Sequence, residues 1–184
     1  WEAMGVMLSA AGALRWFRHA LAPGVEYDTL VAEAARWAPG AEGALFLPYL
    51  TGERTPHADP GARAAFTGLS ARHDRGALVR AVLEGVAYGL RDCLEVVREL
   101  GCDVVDARAS GGGARSELWL RIVASVLGMP LQRTVVEEGA AYGAALLGAA
   151  LVRLPAAADA RVYPNGLWPR RYELAPRLGD LRSI

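Results

Sequence analysis

The sequence predicts an α/β layer architecture, present only in part, with ligands expected where strands end and helices begin. Three observations predict it. Short apolar runs of strand length alternate with segments of helical period along most of the chain. At 103–128 a strand pattern, DVVDARAS, runs through GGGARS into ELWLRIVASVLG, in the order strand, glycine turn, helix. Three or four short strands are too few for the long helices around them, which implies that other strands of the sheet lie upstream of Trp1.

Taken in order, WEAMGVMLSAAGALRWFRH opens directly in apolar sequence, with Leu14, Trp16 and Phe17 in a helical setting. A start at Trp1 with no polar lead-in implies that residues precede it. Asp28 is placed to cap a second helix, TLVAEAARWA, in which Leu30, Val31, Ala34, Ala35 and Trp37 share a side before Pro39 and Gly40 end the run. ALFLPYL at 44–50 reads as a strand that leaves its sheet at Pro48, and AFTGL at 65–69 as a returning strand. The longest helical pattern covers 74–100. Leu78, Val82, Val86, Leu90, Cys93 and Val97 make its buried stripe, while Arg80, Glu84, Arg91, Glu95 and Arg98 lie together on another side. Gly85 and Gly89 each cost about 1 kcal/mol of helix propensity relative to alanine, so they mark either close backbone packing or tolerated glycines. Residues 129–135 offer another strand, and EGAAYGAALLGAALV at 138–152 a helix of small residues that requires tight burial. From Pro155 the pattern weakens into an irregular tail, 155–184, packed on the domain. No internal repeat and no second core is visible.

Composition removes several function classes. A chain of 184 residues, 53% hydrophobic and 22% charged, suits one well-buried globular domain. Its formal charge is zero, so no broad field draws nucleic acid or an anionic membrane. All 20 basic residues are arginine. Without lysine there is neither a P-loop, which needs G-x-x-x-x-G-K-[ST], nor a Schiff base. Cys93 and Cys102 are too few and too poorly spaced for a zinc site or a disulfide framework, and read as reduced thiols of a cytoplasmic protein. No targeting segment and no run of eighteen apolar residues is present.

Three places carry candidate chemistry. In Ser110-Gly111-Gly112-Gly113-Ala114-Arg115-Ser116 the glycines admit a ligand to the backbone and the next helix begins with free N–H groups. The spacing is not G-x-G-x-x-G, and a glycine turn also serves structure alone. The loop TGERTPHADPGAR concentrates Glu53, Arg54, His57, Asp59 and Arg63. An ion-pair cluster that fixes the loop is the first reading, a cleft lining the second and a metal site the least supported, because one histidine and carboxylates without helical spacing make a poor ligand set. Glu137 and Glu138 precede a helix, where their charge suits its N-terminus better than it suits catalysis. No serine or cysteine stands in a nucleophile elbow, which argues against hydrolase chemistry.

Three segments in this order, LPYLTGERTPHADPGARAAFTGL, then AVLEGVAYGLRD with ASGGGARSELW, then EEGAAYGAALLGAA, resemble the FGGY carbohydrate kinases over most of the chain, from about Leu8 to Leu151. GERTPH resembles xylulokinase-like members more than glycerol kinases. The resemblance implies two actin-like (ribonuclease H-like) domains around a cleft, moving the γ-phosphoryl group of Mg-ATP to a sugar hydroxyl. The chain at 1–184 is then the later, nucleotide-binding portion of the second domain, with the sugar-binding domain and the start of the second domain absent.

By the same resemblance Gly112 and Ser116 contact adenine and ribose, Gly111 and Gly113 shape the turn, and Ala11 to Arg15 lies near the phosphates. Glu53, Arg54, Thr55 and His57 border the cleft, and EEGAAYG backs the nucleotide pocket. Arg121 and Ser125 stand where relatives often carry Gln and Asp, and Gly89 replaces a frequent polar residue. The expected cofactors are ATP and Mg2+, and the expected reaction is D-xylulose to D-xylulose 5-phosphate. The family's catalytic aspartate belongs upstream, so no catalytic residue and no metal ligand is assigned, and the chain alone is expected to be inactive. ATP or ADP and a sugar are the expected partners, with a homodimer open. A kinase for another sugar or polyol, or a non-catalytic actin-like nucleotide-binding or assembly module, stands as the alternative.

Overall fold

The computed structural model describes residues 3–133 and a helical pair at 144–145. Along the chain lie α1 (Ala10–Leu21), α2 (Tyr27–Ala34), β1 (Leu45–Leu47), β2 (Ala65–Thr67), α3 (Arg75–Glu99), β3 (Ala107–Ala109), α4 (Glu117–Leu127) and β4 (Leu131–Arg133). Short 3-10 turns sit at Ala41–Gly43 and Gly112–Arg115. The strands form two pairs, β1 with β2 and β3 with β4. The chain divides into two compact units: Trp1–Ala109 with Gly113–Gln132, and Ser110–Gly112 with Arg133–Ile184.

The core of the first unit is built on α3. Asp74, where the helical pattern of the sequence begins, caps that helix, its carboxylate accepting the Ala77 N–H at 3.0 Å. Around α3 lie Ala13 and Phe17 of α1, Leu30 and Ala34 of α2, Phe46 of β1, and Ile122 and Val123 of α4. β1 and β2 are antiparallel, Phe46 opposite Phe66, and the two rings meet at 4.6 Å between centroids. Phe46 points inward while Leu45 and Leu47 are exposed, the alternation that a sheet with one covered face requires. Gly85 lets β1 lie directly on α3: a Cβ there would sit 2.1 Å from the Phe46 carbonyl oxygen. Of the two readings of that glycine, close packing holds.

Four expectations are corrected. Arg80 and Glu84, read as a side of α3 apart from its buried stripe, are themselves buried and pair with each other at 2.5 Å, because nearly every residue of α3 from Gly76 to Ala87 is covered. Asp28 is not a cap, since α2 starts earlier, after Glu26, and Asp28 falls within its first turn, where its charge suits the helix dipole. α2 stops at Ala34, well short of Pro39. The stretch after it is drawn onto α3 instead: Trp37 Nε1 donates to the Asp74 carboxylate and the Gly40 N–H to Glu84. The strand read from Asp103 shrinks to Ala107–Ala109, as Val105 is 70% exposed and so has no face to bury.

α4 follows its predicted course, capped by Ser116 and closed at Gly128, whose positive φ of 65° favours glycine. Among the described residues no helix is long and apolar enough to cross a membrane. Glu137, Glu138, most of the 138–152 helix and the tail at 155–184 lie outside the described residues; Ala144 and Ala145 are helical and exposed.

Candidate functional site

The predicted site residues fall in two stretches: the start of α1 with the loop after β1, and the glycine turn before α4. α1 opens with three backbone amides that no helix turn can satisfy. Its first turn carries no acidic residue, Ala11 is exposed, and a Cβ added to Gly12 would meet no described atom within 4 Å. Among the described residues the first turn thus carries no acidic side chain and Gly12 is uncrowded, an arrangement that suits an anion. Arg15, also exposed, lies one turn on from Ala11 and so shares its face.

Ser9, just ahead of α1, makes no side-chain cap to the helix. Its hydroxyl instead meets the Thr51 hydroxyl at 3.2 Å. The neighbouring strap, 5–9, is tied to the same loop throughout. Val6 N–H donates to Thr55 Oγ1 at 3.1 Å and the Thr55 N–H returns to the Val6 carbonyl at 3.1 Å. Leu8 N–H donates to Glu53 Oε1 at 3.0 Å, and the same oxygen takes the Arg54 N–H at 2.7 Å. Beneath the strap, Gly5 lies so near Cys93 that a Cβ would stand 2.6 Å from the Cys93 Cβ. Burial pushes the Cys93 thiol pKa up, with the Glu53 and Asp92 charges adding to it, and Tyr49 is raised for the same reasons.

The loop is thus fixed by side chain to backbone hydrogen bonds. The expected ion-pair cluster is not how it is held: among the described residues no ion pair joins Glu53, Arg54, His57, Asp59 or Arg63. Glu53, 3% exposed, turns inward to amides, and Arg63 donates to the Pro60 and Ala62 carbonyls. His57 bonds Tyr49 Oη at 3.0 Å. Arg54 and His57 stand exposed and Thr55 is half-buried. Among the described residues no three His, Cys, Asp or Glu side chains gather as a metal cage would require.

In the glycine turn two of the three glycines have a physical reason of their own. Gly111 has φ of 83°, which disfavours any side chain. Gly113 gives room to Trp119, whose Nε1 would stand 3.2 Å from an added Cβ. Gly112 has neither constraint, with no described atom within 4 Å of its added Cβ. Ser116 is the cap of α4, accepting the Trp119 N–H at 3.3 Å.

Sequence reasoning missed Val6, Leu8, Ser9 and Thr51. Their partners are 42 to 49 residues away, and such pairings leave no local period. The one available signal was the density of hydroxyls and a carboxylate in TGERT directly after an apolar strand.

Residues 1–152 match the family described as FGGY family of carbohydrate kinases, C-terminal domain. The xylulose kinase of Escherichia coli (strain K12) is 45% identical over 148 residues, covering 80% of this chain and 30% of that protein. The gluconokinase of Bacillus subtilis (strain 168) is 34% identical over 159 residues, covering 80% of this chain and 31% of the relative. The crystal structure of xylulose kinase from Rhodospirillum rubrum superposes with a TM-score of 0.65 at 40% identity, over 70% of this chain and 26% of the other. The chain therefore spans about 30% of the length of the curated relatives it matches.

Proposed function

The chain belongs to the FGGY family of carbohydrate kinases and carries part of their actin-like (ribonuclease H-like) α/β fold, and on that premise we propose that it is the nucleotide-binding portion of a kinase that moves the γ-phosphoryl group of Mg-ATP to a sugar hydroxyl, D-xylulose above others. In this reading the open amide end of α1, with Ala11 and Arg15, receives the phosphates. The glycine turn, Gly111 to Gly113 with Ser116, receives the adenosine. Arg54, Thr55 and His57 border the cleft toward the sugar, and the sugar-binding domain and catalytic base belong to the preceding part of the kinase.

The observation that carries the reading is the start of α1: helix amides without an intrahelical acceptor, an exposed arginine on the face of Ala11 and no acidic residue in the first turn. Phosphoryl transfer asks a protein mainly to position charge, which backbone amides and arginine do without a lysine. The nucleotide phosphates would bring Mg2+ with them, and that ion would neutralise charge developing on the transferred group. D-xylulose is favoured by the names of several relatives, and a gluconokinase among them makes another sugar or polyol the second reading.

Gly112→Val in the full-length kinase tests the adenosine side. No described atom lies where the new side chain would begin, so the fold tolerates it while a bound nucleoside does not. ATP affinity should fall about tenfold or more, about 1.4 kcal/mol, with sugar affinity kept. Calorimetry that found ATP affinity unchanged would remove the glycine turn from the site.

A further inference from the structure

We propose that Glu53 is a positioning residue for phosphoryl transfer: a buried carboxylate that fixes where α1 begins, and so where its free amides point. The inference rests on the reading of α1 as the phosphate end. Glu53 is 3% exposed, yet no described cation pairs with it. One oxygen, Oε1, accepts both the Leu8 N–H, two residues before α1, and the Arg54 N–H of its own loop. It thereby joins the strap ahead of the helix to the loop that borders the cleft. Thr51 and Thr55 hold the same strap on either side, through Ser9 Oγ and through Val6. The clamp sits at the N-terminal end of α1, where Ser9 makes no side-chain cap.

The energetic consequence is specific. Loss of the Glu53 oxygen leaves both part-buried amides without their acceptor, so the strap will move to find water or another partner. α1 then starts in a different place. Its dipole and amides act only within about the first turn, and a displacement of about 1 Å at a reacting group can cost about a hundredfold in rate. Because both bonds go to a single oxygen, the negative charge is not what the clamp needs. A glutamine supplies the same acceptor.

The test is steady-state kinetics in the full-length kinase, with ATP and sugar varied separately. Glu53→Ala should lower kcat/KM for ATP by about ten- to a hundredfold while the sugar KM stays near its original value, and Glu53→Gln should recover most of the loss. Unchanged ATP kinetics in a folded Glu53→Ala protein, or equal losses for ATP and sugar, overturn the proposal, the second because it signals general damage. Should Glu53→Ala not fold, the exposed Thr51→Val reads the same clamp, and an ATP KM that does not rise there overturns it as well. Ala11→Asp separates this idea from the one beneath it. A carboxylate at that position favours the helix but repels phosphate, so ATP kinetics untouched by it would sink the phosphate reading itself, whereas a crippled Ala11→Asp beside a normal Glu53→Ala would sink only the role of Glu53.

Discussion

Among the described residues of the first unit two glutamates are buried, and they are satisfied in opposite ways. Glu84, 4% exposed, has Arg80 one turn back on α3 at 2.5 Å and takes the Gly40 N–H on both oxygens at 3.0 Å. Glu53, 3% exposed, has backbone amides alone. The first lies in the middle of the core, where a cation must be matched because neither charge reaches water. The second lies at the rim, under a loop and a strap that carry candidate site residues. The contrast teaches that burial of a carboxylate does not by itself say what it does. Its partners do: a buried cation makes it a strut of the fold, and the amides of a strap and a loop make it a positioner.

The sharpest way to break that contrast is to truncate the strut. Glu84→Ala strands the Arg80 guanidinium inside the core and removes the acceptor of Gly40, and breaking a buried pair on one side costs about 3–5 kcal/mol. Glu84→Gln keeps an acceptor for Gly40 but leaves the cation unmatched, so it should remain clearly destabilised. Urea unfolding followed by helical circular dichroism measures both. If Glu84→Gln were as harmless as Glu53→Gln is expected to be, the distinction between the two carboxylates would collapse.

A smaller effect is expected where carboxylates meet solvent at the start of α3. Asp74 holds the Ala77 N–H and Trp37 Nε1, and its pKa is lowered first by the backbone hydrogen bond from Ala77. Glu33 is lowered by its two hydrogen bonds from Arg75. A depressed pKa in the folded state means that these groups stabilise the fold above the ordinary carboxylate range and lose that contribution as pH falls through their folded values. Acidification should therefore lower the urea midpoint in that window. Asp74→Asn still caps, so it should flatten part of the slope at a neutral-pH cost below about 1 kcal/mol. An unchanged slope would mean that Asp74 titrates the same way folded and unfolded.

Much of this framework is legible in the sequence, and the exceptions share a cause. Asp74 before a long periodic run and Gly128 after ELWLRIVASVL mark helix ends because capping is local chemistry. Gly85 announces a close approach because glycine in mid-helix is costly unless something needs the space. Arg80 and Glu84 misled because a charged pair at i and i+4 has the same spacing on a solvated face as in a core; only the packing of α2, α4 and β1 around α3 decides. The charges of the 51–63 loop misled in the same way, since Glu53 and Arg63 look like mutual partners in a string of letters but turn to backbone groups in space. The family resemblance lies in contiguous motifs, whereas the Glu53 clamp joins residues 45 apart and leaves no local pattern.

The smallest effect on ligand affinity separates capping from ligand binding at Ser116. Its hydroxyl accepts the Trp119 N–H, which is a sufficient structural reason for a serine there, and the resemblance assigns it a nucleotide contact as well. Ser116→Ala removes the cap and should cost about 1 kcal/mol of stability. Ser116→Asn restores a good cap with a different group presented outward. If the serine acts only through the helix, ADP affinity measured by calorimetry in the full-length kinase should fall slightly in the alanine protein and return in the asparagine one. A hydroxyl that touches the nucleotide predicts the other pattern, in which stability returns with asparagine but affinity does not.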